Sequence, residues 1–227
     1  MIKSVGFDLD NTLCDQTVHI LSFLRDAAKW LSCETGFSDA RIYHVFKDIL
    51  IRRTPAYKHL FDDALDALNI PKGRYVNELI DKYHCHRGGI ELYPGTRQIL
   101  ECLYKTKQLF LITDGHSGMQ RMKVEQLAIS QYFAVQIFTG GFDKSWTKPS
   151  VLAYESAASK IGVKTADCIF VGDNPCRDFD GAHRIGMKTI RVLTGPYAKL
   201  SSIELNLADY TIETLSELNN TLQLITR

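Results

Sequence analysis

Ser4-Val5-Gly6-Phe7-Asp8-Leu9-Asp10-Asn11-Thr12-Leu13 is the stretch on which the reading of the chain turns. Its first four residues form a short apolar run, the pattern of a strand buried on both faces of a sheet. Two carboxylates follow at once, Asp8 and Asp10. Residues two apart in an extended segment share a side, so the strand delivers both acids to one place. A single acidic strand end can be no more than a turn cap. What it means depends on the other strands.

The pattern returns twice. Leu109-Phe110-Leu111-Ile112 runs into Thr113-Asp114-Gly115, and Cys168-Ile169-Phe170-Val171 runs into Gly172-Asp173. Helix-like stretches lie between, at residues 96–105, 120–129, from Lys148-Pro149 through 160, and 179–185. Further apolar runs at 135–138, 189–192 and 210–212 read as strands, and a last helix begins near Leu215. Strands alternating with helices predict an α/β fold with a parallel sheet covered on both faces. In such a sheet ligands bind at the carboxyl ends of the strands. Asp8, Asp10, Thr113, Asp114 and Asp173 are therefore expected to meet, and Lys148, just ahead of a helix, brings a positive charge to them.

Residues 16–87 read differently. No strand-like run occurs there, and apolar residues repeat at three and four: Ile20, Phe23, Leu24, Ala27, Ala28 and Leu31, then Ile42, Val45, Phe46, Ile49 and Leu50, then Leu60, Ala64, Leu65 and Leu68. With a further helix after Pro71, which a first helical turn accepts, about four helices are predicted. The expected division is an α/β core of residues 1–15 and 91–227, with an all-α unit of residues 16–90 inserted after the first strand.

The 227 residues carry 27 Lys+Arg against 26 Asp+Glu. That balance argues against a wide face that neutralises nucleic-acid phosphates, and no apolar run reaches membrane-spanning length. The start of the chain does not resemble a signal peptide. A cytoplasmic protein, monomer or homodimer, without nucleic-acid or membrane partners is expected. Six cysteines without a CxxC pair read as free thiols. His84-Cys85-His86 resembles a metal cluster only in one dimension, because neighbours on a helix point apart.

The chemistry that fits the strand ends is phosphoryl transfer. A carboxylate can act as a covalent nucleophile, but it repels a phosphate dianion, so the site needs cations. Asp8 and Asp173 offer the hard oxygens that Mg²⁺ takes, and Lys148 offers a fixed charge. The Thr113 hydroxyl and the backbone N–H groups of Asp114 and Gly115 can donate to phosphate oxygens. Asp10 can protonate the leaving oxygen and later take a proton from water.

These residues resemble a known family. Asp8-Leu9-Asp10-Asn11-Thr12-Leu13 is similar to the first motif of the haloacid dehalogenase superfamily, in its phosphatase form DxDxT. Thr113 after its strand resembles the second motif, Lys148 in Lys148-Pro149-Ser150 the third, and Gly172-Asp173-Asn174-Pro175-Cys176-Arg177-Asp178 the fourth. They stand in the family's order and span nearly the whole chain. The resemblance implies a Rossmann-like core with an inserted helical cap. It implies Asp8 as nucleophile, Asp10 as general acid/base with its backbone carbonyl on the metal, Thr113 and Lys148 on the phosphoryl group, Asp173 on Mg²⁺ and Asp178 as a supporting acid. The implied reaction is hydrolysis of a small phosphorylated metabolite, a sugar phosphate or nucleotide monophosphate. A phosphomutase of the β-phosphoglucomutase type and a non-catalytic phosphometabolite-binding protein are the alternatives. The name-giving dehalogenases lack the second acid of the first motif, so Asp10 favours phosphate chemistry. Asp114 departs from the Asn or Ser common in relatives and adds a negative charge beside the phosphate. His116 and Trp146 read as pocket or loop residues, Asp15 and Asp180 as caps or surface, and Arg52, Arg53 and Lys58 as a solvated helix face.

Overall fold

The computed structural model describes residues 1–53, 57–200 and 208–225. Two compact units form, Met1–Gln16 with Ile90–Arg227, and Thr17–Gly89. In chain order the elements are β1 (Ser4–Phe7), α1 (Gln16–Thr35), α2 (Asp39–Arg52), α3 (Leu60–Ala67), α4 (Tyr75–Cys85), α5 (Thr96–Tyr104), β2 (Gln108–Thr113), α6 (Ser117–Gln126), β3 (Val135–Phe138), α7 (Val151–Ile161), β4 (Cys168–Gly172), α8 (Asp180–Arg184), β5 (Lys188–Val192), β6 (Tyr210–Ile212) and α9 (Leu218–Ile225).

The six strands pair in parallel in the order β3-β2-β1-β4-β5-β6. The chain builds outward from β1 to one side, then returns to add β4 on the other. The order therefore reverses at β1, and the crevice between β1 and β4 is the topological switch point where such sheets take ligands. Asp8 and Asp173 are the first residues beyond β1 and β4, and Thr113 ends β2.

The sheet is buried on both faces. One face packs Val5, Phe7, Leu109, Leu111, Ile169, Val171, Ile190 and Val192 against Leu100 and Leu103 of α5 and Leu218 and Leu222 of α9. The other packs Phe110, Ile112, Cys168 and Phe170 against Ala153, Tyr154 and Ala157 of α7. Gly6 sits between Phe110 and Phe170 in register on that second face. A Cβ at Gly6 would lie 2.1 Å from the Phe110 ring, so the glycine makes room for the aromatic pair over the central strand.

The helical unit packs α1 to α4 around Phe23, Leu24, Ala27, Leu31, Ile42, Phe46, Leu65 and Leu79. All but Leu79 are residues whose spacing of three and four marks the helices in the sequence. His86 pairs with Ser22 (3.3 Å), and its other ring nitrogen is 3.8 Å from Asp26. Among the described residues, His84-Cys85-His86 does not form a metal-holding group. Arg52 pairs with Asp48 (3.0 Å) and Arg53 with Asp63 (3.6 Å).

Two helices of the core start elsewhere than the spacing suggests. α6 runs from Ser117 to Gln126 rather than over 120–129, because the His116 ring accepts from the Met119 N–H (3.3 Å) and caps the helix earlier. α7 starts at Val151, past Lys148-Pro149, because the Ser150 hydroxyl takes up the Leu152 N–H (3.3 Å).

Candidate active site

The segment after β1 turns sharply. The N–H groups of Leu13 (2.9 Å) and Thr12 (3.4 Å) reach back to the Leu9 carbonyl, and Asn11 takes a left-handed φ of 62°, a conformation Asn tolerates better than most residues. Asp8 itself is held in line with the sheet, its N–H on the Val171 carbonyl of β4 (2.9 Å).

Lys148 is the hub of the first cluster. Its Nζ lies 2.5 Å from Asp8 Oδ1 and 2.7 Å from Asp178 Oδ1, with all three residues buried. The second Asp178 oxygen accepts from the Asn174 N–H (2.9 Å). The Tyr154 hydroxyl, its ring edge-on to Phe170, donates to the Asp178 carbonyl (3.0 Å). Burial works against the Lys148 charge, but Asp178 and Asp8 outweigh it and hold its pKa well above the usual lysine range.

Asp173 closes the cluster. Ligand oxygens of Asp8, Asp173 and Asp178 lie within 4.8 Å of one another. Burial pushes Asp8 up to about 7, with Lys148 opposing and Asp178 adding to the rise. Burial, then the charges of Asp178 and Asp8, push Asp173 up to about 9. Three buried carboxylates thus face one ammonium, and the buried Oδ2 of Asp173 has no hydrogen-bond partner. Excess buried negative charge with an orphaned oxygen is what a hard divalent cation relieves. The residues fit such an ion, which the side-chain oxygens of Asp8 and Asp173 could hold. Both oxygens of Asp178 are already engaged, one by Lys148 and one by Asn174.

The second cluster gathers on Asp10. Its carboxylate accepts from Lys123 Nζ at 2.7 and 2.8 Å and from Gln120 Nε2 at 2.8 Å. The same Gln120 nitrogen donates to Thr113 Oγ1 (2.6 Å). Asp10 therefore has a cation of its own instead of sharing Lys148 with Asp8. Thr12 lies near both Asp8 Oδ2 (3.4 Å) and Asp173 Oδ1 (3.5 Å), distances at the long limit of hydrogen bonding.

The model for the haloacid dehalogenase-like hydrolases matches residues 5–192. The chain belongs to this family. It is 29% identical over 227 residues to the glyceraldehyde 3-phosphate phosphatase of Methanocaldococcus jannaschii, covering 96% of each chain. It is 24% identical to the N-acylneuraminate-9-phosphatase of Homo sapiens, over 82% of this chain and 80% of that one. A putative β-phosphoglucomutase of Thermotoga maritima shares the fold with a TM-score of 0.74 at 18% identity, covering 99% of this chain and 100% of that one.

Within this hydrolase the Asp114 departure has a physical answer. Its Oδ1 accepts from Thr139 Oγ1 (2.7 Å) and the Lys148 N–H (3.2 Å), and its Oδ2 from Arg177 Nη1 (3.1 Å). The carboxylate ties together the loops that follow β2, β3 and β4, and Arg177 balances its charge. Gly115, at φ 104°, carries the backbone past it, in a region where side chains rarely fit. His116 caps α6, and Trp146 stacks on Phe142 at 4.3 Å. Asp180 lies in the first turn of α8, 3.9 Å from Arg184.

Gly172 of the fourth motif has a steric duty. A Cβ there would sit 2.3 Å from Asp178 Oδ2. Gly172→Ala is expected to push Asp178 off Lys148, lowering turnover at least tenfold and costing about 1–3 kcal/mol of stability. Turnover and a denaturant melt measured on the same preparation check this, and a variant matching the parent in both would contradict it.

Sequence reading did not single out Gln120, Lys123 or Arg177. Gln120 and Lys123 stand three apart, on one face of α6. That spacing was the available signal, but a helical lysine ordinarily marks a solvated face.

Proposed function

We propose that this hydrolase is a Mg²⁺-dependent phosphatase that acts on a small phosphorylated metabolite, a sugar phosphate or nucleotide monophosphate, through an aspartyl-phosphate on Asp8. The observation that carries the reading is the Asp8 carboxylate fixed by Lys148 beside Asp173, at the switch point of the sheet. The phosphatase names of the M. jannaschii and H. sapiens relatives support it.

In the first step Asp8 attacks phosphorus, the bond to the leaving oxygen breaks, and that oxygen takes a proton from Asp10. In the second, water attacks the phosphorus of the acyl phosphate and gives its proton to Asp10. The bond to Asp8 breaks and the carboxylate returns. Lys148 fixes the direction of the nucleophile through Oδ1 and balances phosphoryl charge. The Thr113 hydroxyl and the Asp114 and Gly115 N–H groups bind phosphoryl oxygens. Mg²⁺, held by Asp8, Asp173 and the Asp10 carbonyl, supplies charge neutralisation when bound. We read the helical unit as the cap, on its place between the first and second motifs. Lids of this kind exclude water before chemistry.

Release of inorganic phosphate across a panel of phosphorylated metabolites tests the reading, with EDTA expected to abolish it. Failure to release phosphate from any member would overturn it. Hydrolysis without isomer formation separates the phosphatase from a mutase.

Metal binding has an independent readout. Asp8 and Asp173 are raised from 3.8 to about 7 and about 9. At these two groups the folded protein binds more protons than the unfolded chain from about pH 4 to about pH 9, so their contribution to metal-free stability falls as pH rises through that window. Mg²⁺ relieves the same charge. At about 100 times its Kd it adds about 2.7 kcal/mol, or about 5–10 °C of Tm; at one fixed Mg²⁺ concentration the gain is larger near pH 8 than near pH 5, where protons compete for the ligand oxygens. A Tm near pH 8 that Mg²⁺ leaves unchanged would contradict the metal assignment.

A further inference from the structure

Lys123 belongs to no motif of the family reading, yet its side chain is wholly buried, at 0% exposure, with its ammonium on both oxygens of Asp10. A buried ammonium is costly unless it is paired, so this lysine is placed there for its charge and not for packing alone. Gln120, one turn earlier on the same face of α6, is also wholly buried. Its amide nitrogen carries two hydrogens. One meets Asp10 Oδ2 at 2.8 Å and the other Thr113 Oγ1 at 2.6 Å. The orientation of the amide follows from its partners, because the Asp10 oxygen it meets already faces the Lys123 ammonium and so accepts.

Two consequences follow. With both oxygens engaged, the Asp10 carboxyl is fixed in place relative to the Thr113 hydroxyl. And because Thr113 Oγ1 already accepts from Gln120, its own hydrogen is left to donate. Among the described residues it reaches the Asp114 carbonyl at a long 3.4 Å, so the hydroxyl is poised to give its hydrogen to an arriving phosphoryl oxygen.

We propose that Lys123 and Gln120 are positioning residues. Together they aim Asp10 for proton transfer at the leaving oxygen, and Gln120 also sets Thr113 as a phosphate donor. The inference rests on Asp10 being the acid/base of the proposed function. A single rigid helix, α6, thereby ties the proton-transfer group to the phosphate-binding group.

The test compares the parent enzyme with Lys123→Met, Gln120→Met, Asp10→Asn and the Asp10→Asn/Lys123→Met double variant. Each is assayed on the best alkyl phosphate from the panel and on p-nitrophenyl phosphate, whose leaving group departs without a proton. Lys123→Met is expected to lower kcat/KM on the alkyl ester by about 10–100-fold, within the range of general acid/base effects, and on the aryl ester by less than about threefold. KM on the alkyl ester should stay within about threefold; on the aryl ester kcat and KM fall together where the water step, which also uses Asp10, limits turnover. Gln120→Met should show the same alkyl-selective loss, together with a raised KM on both esters through Thr113. In the Asp10→Asn background, Lys123→Met should add less than about twofold, because the two act as one unit.

Equal losses on both esters, as a merely structural role would give, overturn the proposal. So does a full Lys123→Met effect in the Asp10→Asn background. Where Lys123→Met fails to fold, Gln120→Met decides by the same ester comparison. If Asp10→Asn keeps its alkyl turnover, the acid/base reading falls and takes the inference with it. If Asp10→Asn loses it and Lys123→Met does not, the positioning proposal alone falls.

Discussion

Asp8→Asn is expected to lower phosphate release by more than about 10⁴-fold without unfolding the protein. Loss of a covalent nucleophile is among the largest single-residue effects on turnover. The amide keeps the shape of the side chain and cannot form the acyl phosphate. The same substitution should not cost stability in the metal-free protein. Burial already pushes Asp8 up to about 7, so the native site disfavours its charge, and a neutral isostere removes that penalty above neutral pH. The variant's Tm near pH 8, without metal, should equal or exceed the parent's. Turnover within tenfold of the parent would remove Asp8 from the nucleophile's role.

Lys148→Met should carry the second largest effect, and it has two parts. Activity is expected to fall by about 10²–10³-fold or more, the scale for removing one group that stabilises developing charge. Stability is expected to fall as well, because Lys148 pairs with both Asp8 and Asp178 in a buried setting. Removing one partner of a buried ion pair costs about 3–5 kcal/mol. The sign of the pH dependence is fixed by what remains. Asp8, Asp173 and Asp178 lose their shared counter-charge, and protonation at lower pH relieves them. The loss of Tm should therefore be larger near pH 8 than near pH 5. Melts at the two pH values check this, and an unchanged Tm near pH 8 would show that the cluster does not depend on the lysine.

Much of the fold was legible because strands and helices bury different periods. The short apolar-rich runs at Ser4–Phe7 and Val135–Phe138 name their strands to the residue. The three-and-four spacing of Phe23, Ala27 and Leu31 marks the buried face of α1. Carboxylates placed straight after β1 and β4 predict a site once the sheet is parallel, because topology alone carries those ends together.

What stayed hidden depends on contacts between residues far apart in sequence. Lys123 reads as a surface lysine until Asp10, 113 residues away, is seen to meet it. Asp114 reads as an intruding charge until Arg177, Thr139 and the Lys148 N–H are seen to take it up. The start of α6 was misplaced because a histidine is an uncommon N-cap and its ring nitrogen does the work usually given to a short hydroxyl or carboxylate side chain. In each case a local pattern was consistent with two environments, and the tertiary partner selected one.

The central claim is that the phosphoryl group passes through Asp8. Rapid acid quenching during turnover, followed by mass analysis of the peptide that carries Asp8, tests it most directly. The account predicts one phosphoryl group on that residue, formed before the first phosphate is released and absent from Asp8→Asn. An unmodified peptide under steady turnover, with phosphate release intact in Asp8→Asn, would contradict it.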